Sequence, residues 1–176
     1  MRIIGGIYKG RVLYGFDGRD VRPTSDMARE SLFNILQTRI VDSEFLDLFC
    51  GSGAVGIEAL SRGAKHVTFN DKESFSINLT QKNLEKVKAE NFTLHRGDGV
   101  DFIGTTNKKY DIIFIDPPYN SDLGQRALSV AVNALSDGGI VIYENEKPYL
   151  GSAKGLVMYD QRRYGRAYLS FFKREG

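Results

Sequence analysis

FLDLFCGSGAVGIEALSRG, residues 45–63, is the stretch that decides the fold. The apolar run Phe45–Phe49 predicts a buried strand, and Ala54–Arg62 predicts a helix that ends at Gly63. The loop between them carries the pattern GxGxxG over residues 51–56. Glycines in such a loop permit a tight turn and let backbone N–H groups approach a ligand at the start of the helix. The stretch therefore indicates one strand–loop–helix unit of an α/β sheet, with a ligand near the loop.

Strands and helices continue to alternate after this unit. The predicted strands are His66–Asn70, Phe92–His95, Asp111–Ile115 and Ile140–Tyr143, and the predicted helices are Glu73–Val87 and Asp122–Leu135. We expect an irregular crossover between the third and fourth strands, and a C-terminal β-hairpin of Leu156–Tyr159 and Ala167–Phe172. The pattern predicts a doubly wound, mostly parallel sheet. Ligands bind such sheets beyond the carboxyl ends of the strands, so the chemistry should lie just after positions 49, 70, 95 and 115.

The first 40 residues do not follow this alternation. Spaced glycines and alternating apolar residues over positions 2–15 predict a small hairpin. Pro23 then predicts the entry to a helix that Thr24 or Ser25 caps and that continues to about residue 40. We therefore divide the chain into a hairpin-and-helix extension, residues 1–40, and a main domain, residues 41–176.

Composition bounds the class of protein. The 176 residues, 41% hydrophobic and 26% charged, fit one globular chain with an ordinary core. The single cysteine excludes an intrachain disulfide framework and a multi-cysteine zinc site, and we expect no metal. No apolar run approaches the roughly 18 residues of a membrane span, and the N-terminus lacks the features of a signal peptide. These features predict a cytoplasmic protein without membrane contact.

The formal net charge of +2 averages over three unequal parts of the chain. Residues 1–29 carry a net charge of +3, residues 30–146 of −6, and residues 147–176 of +5. A polyanion is attracted to the two basic ends and repelled by the acidic middle. The split predicts nucleic-acid contacts at both ends, and scatter among solvated surface charges is the alternative.

Three acidic residues accompany the first three predicted strands. Asp47 lies within the first strand, Asp71 follows the second, and Asp98 follows the third. A carboxylate beside the glycine loop repels a pyrophosphate but suits an ammonium or sulfonium group, and S-adenosylmethionine carries both. In that case Asp71 accepts the ribose hydroxyls and Asp98 the adenine amino group. The structural alternatives are, in the same order, a loop-organising acid, a helix N-cap and an Asp-Gly turn.

The segment Asp116–Tyr119, sequence DPPY, follows the fourth predicted strand. Its two prolines make a rigid, extended segment without N–H donors, so its remaining polar groups are hydrogen-bond acceptors. Such acceptors suit an exocyclic amino group, because they hold its protons and stabilise the positive charge that develops on nitrogen. We expect Asp116 and the carbonyl of Pro117 to activate the amine and Tyr119 to stack on an extruded base. A rigid turn is the structural alternative.

With these motifs the chain resembles the RsmD-type 16S rRNA (guanine-N2) methyltransferases, a family of class I S-adenosylmethionine-dependent enzymes. The resemblance extends over nearly the whole chain. It is most family-specific over residues 22–34, RPTSDMARESLFN, whereas the glycine loop and DPPY occur in many amino-methyltransferases. The matching segments are Arg2–Leu13, Arg22–Asn34, Asp47–Gly53, Glu58–Ala64 and Asp116–Tyr119.

The resemblance implies a seven-stranded, Rossmann-like methyltransferase fold and methylation of a guanine N2 in 16S rRNA during assembly of the small ribosomal subunit. We expect a monomer. The residues implied for S-adenosylmethionine are Asp47, Phe49, Gly51, Gly53, Asp71, Asp98 and Gly99, and those for catalysis are Asp116, Pro117 and Tyr119. The residues expected to bind RNA, from the resemblance and from the basic ends, are Lys9, Arg11, Arg22, Thr24, Arg29, Arg163 and Arg166.

The chain departs from the family pattern at three positions. Asp71 replaces an expected Glu, which shortens the reach to the ribose, and Met27 occupies a position that is often basic. Cys50 replaces a small Ala and lies outside any proline-cysteine motif, which disfavours covalent methylation of cytosine. The alternatives are an adenine-amino DNA or RNA methyltransferase, a nicotinamide-dependent oxidoreductase, and a non-catalytic RNA-binding or assembly factor.

Overall fold

A seven-stranded sheet forms the centre of the protein, seen here in a computed structural model that describes residues 1–17 and 24–176. In chain order the strands are β1 Glu44–Asp47, β2 His66–Asp71, β3 Phe92–Arg96, β4 Tyr110–Ile115, β5 Leu135–Asn145, β6 Leu156–Tyr164 and β7 Ala167–Arg174. They lie in the order β3-β2-β1-β4-β5-β7-β6. Strands β1 to β5 are parallel, and β7 is antiparallel to both β5 and β6. The order reverses between β1 and β4, which creates a crevice beyond their carboxyl ends.

Helices cover both faces of this sheet. They are α1 Asp26–Leu36, α2 Ala54–Ser61, α3 Ser74–Val87, α4 Gly99–Thr105 and α5 Leu123–Ala131. Side chains of α1, α2 and α3 form one apolar core with one face of the sheet, and side chains of α4 and α5 form a second core with the other. Burial on both faces explains why the central strands are continuous apolar runs. The doubly wound α/β fold with a C-terminal hairpin is confirmed.

Several predicted boundaries are wrong. Helix α1 ends at Leu36 instead of near residue 40, and α4 replaces the irregular crossover. The sequence of α4, GVDFIGT, contains two glycines, which weaken helix propensity and hide the element from local pattern analysis. Strand β5 begins at Leu135 instead of Ile140, and its pairing with β4 is irregular over the added residues. Tertiary pairing extends β5, β6 and β7 beyond their apolar segments.

The predicted N-terminal hairpin is present as a short antiparallel pairing without regular strands. Arg2 and Val12 form a bridge, and the N–H groups of Ile3, Gly10 and Leu13 donate to carbonyls of the opposite arm, at 3.0, 2.8 and 2.7 Å. A side chain of α2 also hydrogen-bonds to the backbone of this segment. The Glu58 carboxylate accepts hydrogen bonds from the N–H groups of Ile4 and Gly5, at 3.0 and 2.9 Å. The short hairpin is therefore also anchored to α2.

The leading segment shares its core with the sheet. Ile3 and Leu13 are buried in the same apolar cluster as the α1 residues Leu32 and Phe33 and the β1 residue Phe45. At the start of α1 the Ser25 hydroxyl accepts from the N–H of Ala28, as the capping prediction requires. Within residues 1–17 and 24–176, no helix has the length and apolar character needed for a bilayer span.

Candidate active site

The predicted acidic residues gather at one edge of the sheet. Asp47 and Asp71 are the last residues of β1 and β2, Asp98 follows β3, and Asp116 follows β4. Because the carboxyl ends of parallel strands meet at the same edge, four positions far apart in sequence come together. We call this edge, defined by these four residues, the acidic edge.

Asp47 is the most deeply buried member of the acidic edge. Its side chain is almost inaccessible, and Oδ2 accepts a hydrogen bond from the N–H of Gly56 at 3.1 Å. Burial raises its pKa to about 7; the Gly56 N–H lowers it, and the nearby charge of Asp71 raises it further. The loop-organising contact considered for Asp47 is therefore present. Because this pKa lies near neutral pH, a nearby positive charge shifts the carboxyl to its ionised form.

Asp71 connects β2 to the glycine loop. Its Oδ2 accepts from the N–H of Gly51 at 3.0 Å, and its Oδ1 accepts from the N–H of Glu73 at 2.9 Å. Helix α3 begins at Ser74 with Glu73 as its N-cap, so Asp71 precedes the cap instead of forming it. The shorter side chain at this position thus holds the loop at a fixed distance from the strand.

The glycine loop is held in a conformation that side chains resist. Gly51 and Gly53 have positive φ angles of 56° and 82°. A Cβ on Gly53 would lie 2.7 Å from a methyl carbon of Thr80 on α3, whose hydroxyl donates to the carbonyl of Gly51 at 2.8 Å. Thr80 and the two glycines therefore form one rigid unit that leaves backbone groups near the crevice.

Phe49 and Gly99 lie against each other on the β3 side of this loop. A Cβ on Gly99 would come within 2.9 Å of the Phe49 ring, so only glycine allows this approach. Asp98 caps the helix that Gly99 begins, accepting from the N–H of Asp101 at 2.9 Å. The predicted alternative of a simple Asp-Gly turn is therefore replaced by an N-cap.

Asn70 is a positioning residue that the sequence analysis missed. It is fully buried, and its side-chain amide donates to the carbonyls of Leu48 and Gly97 at 3.0 and 3.2 Å. Its Oδ1 lies 2.7 Å from Nδ1 of His95. One amide thus ties together the ends of β1, β2 and β3. The signal in the sequence that could have identified Asn70 is a polar residue inside an otherwise apolar strand.

Asp116 shares a hydroxyl partner with a second carboxylate, that of Glu144. The Thr24 Oγ1 lies 3.2 Å from Asp116 Oδ2 and 2.9 Å from Glu144 Oε2. Burial, followed by the charges of Glu144 and Asp47, raises the pKa of Asp116 well above its usual value, while the Thr24 hydrogen bond lowers it. The pair therefore holds a proton more readily than isolated carboxylates do.

Glu144 was also missed by the sequence analysis. It lies at the carboxyl end of β5 and is only 5% exposed. The rule that pointed to the other acids, an acidic residue at a strand end, applies equally to the fifth strand. Buried carboxylates are uncommon without a partner, so its position beside Asp116 marks a specialised environment.

A pocket of about 230 Å³ opens beside this pair. It lies between the start of α1, the segment after β4 and the β6–β7 turn. Tyr119, whose ring is 42% exposed, and Tyr164 provide aromatic walls, and Glu144 lies at its inner end. The other lining residues are Ser25, Met27, Asn145, Glu146, Gly165, Arg166 and Ala167. Among the described residues, the pocket combines aromatic surface, acceptors and the guanidinium of Arg166.

The basic residues predicted to bind RNA occupy different parts of the molecule. Arg166 lines the pocket, and the neighbouring Arg163 is exposed and donates to the carbonyl of Gly165 at 2.9 Å. Arg11 donates to the carbonyl of Val87, the last residue of α3, at 2.5 Å. Helix α3 begins near the acidic edge and has 14 residues, so Arg11 lies about 20 Å away, at the opposite edge.

The remaining predicted RNA contacts are distributed as follows. Lys9 is exposed in the same N-terminal turn as Arg11. Thr24 is buried and belongs to the carboxylate pair. Arg29 is fully buried and donates to the carbonyl of Arg2 and to Asp26, so it supports the fold and presents no surface to a ligand. Arg22 lies outside the described residues.

Comparisons of the sequence with known proteins indicate one family over most of the chain. The family described as "Conserved hypothetical protein 95" matches residues 1–173. The chain is 37% identical over 153 residues to "Ribosomal RNA small subunit methyltransferase D" of Haemophilus influenzae, a match covering 84% of this chain and 79% of that one. It is 40% identical over 139 residues to the protein of the same name from Escherichia coli, covering 79% and 68%.

A solved structure has the same architecture. The Escherichia coli protein yhhF superimposes with a TM-score of 0.89 at 33% sequence identity, over 99% of this chain and 98% of that one. The similarity includes the leading segment and the C-terminal hairpin, because it spans almost all of both chains.

Proposed function

The chain belongs to the RsmD-type methyltransferase family, described as "Conserved hypothetical protein 95", and we propose that it methylates the N2 amino group of a guanine in 16S rRNA. The methyl donor in this proposal is S-adenosylmethionine. The observation that carries it is the Asp116–Glu144 pair, held by Thr24 at the carboxyl edge of the sheet beside an aromatic pocket. Two relatives that bear the name of a small-subunit rRNA methyltransferase support the RNA substrate.

The acidic edge fits S-adenosylmethionine by its chemistry. Asp47 ionises readily beside an ammonium group, and Asp71 lies at the glycine loop with acceptor oxygens for a ribose. The contact of the Phe49 ring with Gly99 offers an apolar surface near Asp98, where a purine and its amino group fit. We assign these residues, with Gly51 and Gly53, to cofactor binding.

Methyl transfer from this donor needs positioning more than chemical activation. S-adenosylmethionine supplies a methyl group on a positively charged sulfur, so the C–S bond breaks with its electrons on sulfur as the N–C bond forms. Asp116 and the Pro117 carbonyl accept hydrogen bonds from the amino group and stabilise the charge that develops on nitrogen. The amine then releases one proton, and the Asp116–Glu144 pair, with the raised pKa of Asp116, receives it.

The pocket is suited to one nucleobase turned out of an RNA strand. Tyr119 and Tyr164 provide stacking surfaces, and Arg166 lies close enough to neutralise a neighbouring phosphate. Arg163 extends the basic character along the hairpin. We propose that the C-terminal hairpin is the main RNA surface near the site and that Lys9 and Arg11 contact RNA at the opposite edge. An assembling small subunit, approached by a monomer, is a substrate large enough to reach both.

The other classes of function fit this site less well. A nicotinamide-dependent oxidoreductase has to place a diphosphate at the glycine loop, where Asp47 and Asp71 repel it. A non-catalytic RNA-binding factor has no use for two carboxylates that share one hydroxyl beside a pocket. An adenine-amino methyltransferase has the same need for Asp116, so the choice between the two bases depends on the residues beside it.

The test compares 16S rRNA from the source strain with that from a strain lacking this gene. Mass spectrometry of nuclease fragments should show one N2-methylguanine that is absent without the gene and restored by the wild-type gene. The Asp116→Ala gene should fail to restore it although the protein accumulates normally. Identical methylation in the two strains, or loss of a methyl group from adenine instead, would refute the proposal.

A further inference from the structure

Glu144 lines the pocket and is linked to Asp116 of the catalytic segment through the hydroxyl of Thr24. Its Oε2 lies 2.9 Å from the Thr24 hydroxyl, which lies 3.2 Å from Asp116 on its other side. The two carboxylates are thus no further apart than the sum of these two distances. The hydroxyl has one proton and donates to one carboxylate at a time. The pocket therefore presents the Glu144 carboxylate with Asp116 close behind it, and this pair favours a ligand edge with more than one N–H donor.

The nucleobases with an exocyclic amino group differ in the ring atom beside that group. In adenine the amino group neighbours N1, and in cytosine it neighbours N3; both ring nitrogens are acceptors. In guanine the N2 amino group lies between N3, an acceptor, and N1–H, so guanine alone presents a ring donor beside its amine. A ring acceptor facing a buried carboxylate leaves lone pairs opposed and unpaired, whereas N1–H forms a charge-assisted hydrogen bond.

We propose that Glu144 selects guanine by accepting the hydrogen bond of N1–H while Asp116 holds the N2 amino group. This inference rests on the proposed function and deepens it, because it names the residue that distinguishes guanine from adenine. Thr24 supports the arrangement by fixing the two carboxylates relative to each other. Tyr119 lines the same pocket and stacks on the base without reading its edge. Glu144 is thus a specificity-determining residue.

Base analogues separate N1–H from the reacting amine. Once the methylated position is known, an RNA fragment containing it is made with guanine, 6-thioguanine or 2-aminopurine at that position. The first two bases keep N1–H beside the amine, and 2-aminopurine keeps the amine but has an acceptor at N1. The wild-type protein should methylate guanine and 6-thioguanine at similar rates, and 2-aminopurine about tenfold to hundredfold more slowly.

Variants then assign that discrimination to one residue. Glu144→Gln offers an amide that pairs with either kind of edge, so the ratio of guanine to 2-aminopurine rates should fall at least tenfold, to near one. Glu146→Gln is the matched control, since it removes a carboxylate from the same pocket two residues away; its ratio should stay at the wild-type value. Glu144→Asp keeps the acceptor and should keep the ratio even where the overall rate falls. Thermal unfolding checks that each variant is folded.

The outcomes distinguish a failure of this inference from a failure of the proposed guanine methylation. If the wild-type protein transfers no methyl group to guanine in any rRNA, the proposed function fails. If it methylates guanine and 2-aminopurine equally, or if Glu144→Gln leaves the ratio unchanged, the function stands and the inference is wrong. The wild-type comparison needs no variant, so a Glu144→Gln protein that does not fold still leaves the inference open to refutation.

Discussion

The hydroxyl of Thr24 lies 2.9 Å from the carboxylate of Glu144, across 120 positions of sequence. This contact joins a residue two positions before α1 to the end of β5 and brings the entry to α1 into the site. Through Thr24 the start of α1 is tied to the same carboxylate pair that we assign to amine activation. A change in the N-terminal segment should therefore alter turnover as well as RNA binding.

Replacing Thr24 with Val tests this connection. Valine has nearly the same shape but has no hydroxyl, so the two carboxylates lose their shared donor and repel each other. We expect kcat to fall about tenfold to hundredfold, a range typical of losing one hydrogen bond near developing charge. The dissociation constant for S-adenosylhomocysteine should change by less than about threefold. Thr24→Ser keeps the hydroxyl and should retain most of the activity; equal losses in both variants would argue against the hydrogen bond.

Replacing Asp116 with Asn tests the amine-activation step. An amide presents one acceptor without negative charge, so it stabilises the positively charged nitrogen poorly and cannot take up its proton. Single-turnover methylation should slow by about 10²–10³, in the range seen for losing a key electrostatic group. Cofactor affinity, measured by calorimetry, should remain within a factor of a few. A parallel loss of both quantities would instead place Asp116 in the cofactor site.

Cofactor affinity should depend on pH through Asp47. Its pKa is about 7 in the free protein, and the ammonium of the ligand favours the ionised form, so binding below pH 7 must release a proton. Affinity for S-adenosylhomocysteine should therefore fall as the pH is lowered from 8 to 6. Calorimetry at pH 6.5 in buffers of different ionisation enthalpy measures the released proton directly. Asp47→Asn should bind more weakly and lose this pH dependence.

The glycine loop offers a prediction about stability. Gly53 and Gly10 have similar positive φ angles, 82° and 85°, but a Cβ on Gly53 meets Thr80 at 2.7 Å whereas one on Gly10 meets no atom within 4 Å. Gly10→Ala should lower the free energy of unfolding by about 1 kcal/mol, the backbone cost alone. Gly53→Ala should cost about 2–4 kcal/mol, because contact strain is added to it. Urea denaturation measures both, and equal costs would contradict the role of Thr80.

Salt dependence separates the two proposed RNA surfaces. A side chain that contacts one phosphate contributes about one unit to the slope of log affinity against log salt concentration. Arg166→Ala should reduce the slope measured with a short RNA fragment around the methylated site by about one. Lys9→Ala should leave it unchanged, because the N-terminal turn lies at the far edge of the sheet. A fragment long enough to reach that edge should restore an effect of Lys9.

Local sequence patterns were enough to predict much of the fold and part of the candidate site. The strand–loop–helix unit over residues 45–63 and the alternation after it follow from hydrophobic period, which each segment expresses on its own. The acids at the ends of β1 to β4 could be predicted as neighbours, because parallel strands align their carboxyl ends. Helix α4 was not predicted, because two glycines in seven residues weaken its local helix signal. Tertiary packing stabilises the helix in spite of that weak propensity.

By itself the sequence determined the class of fold and the gathering of acidic residues at the carboxyl ends of the strands, because these depend on residue type and period. Only the tertiary structure decided that Thr24 and Glu144 meet at Asp116, that Arg29 is buried, and that Arg11 lies at the far edge. Those relationships join residues separated by up to 120 positions, and no local pattern encodes such a distance. They arise because the leading segment packs on α2 while α1 packs on the sheet. That packing depends on the whole apolar core and not on any one segment.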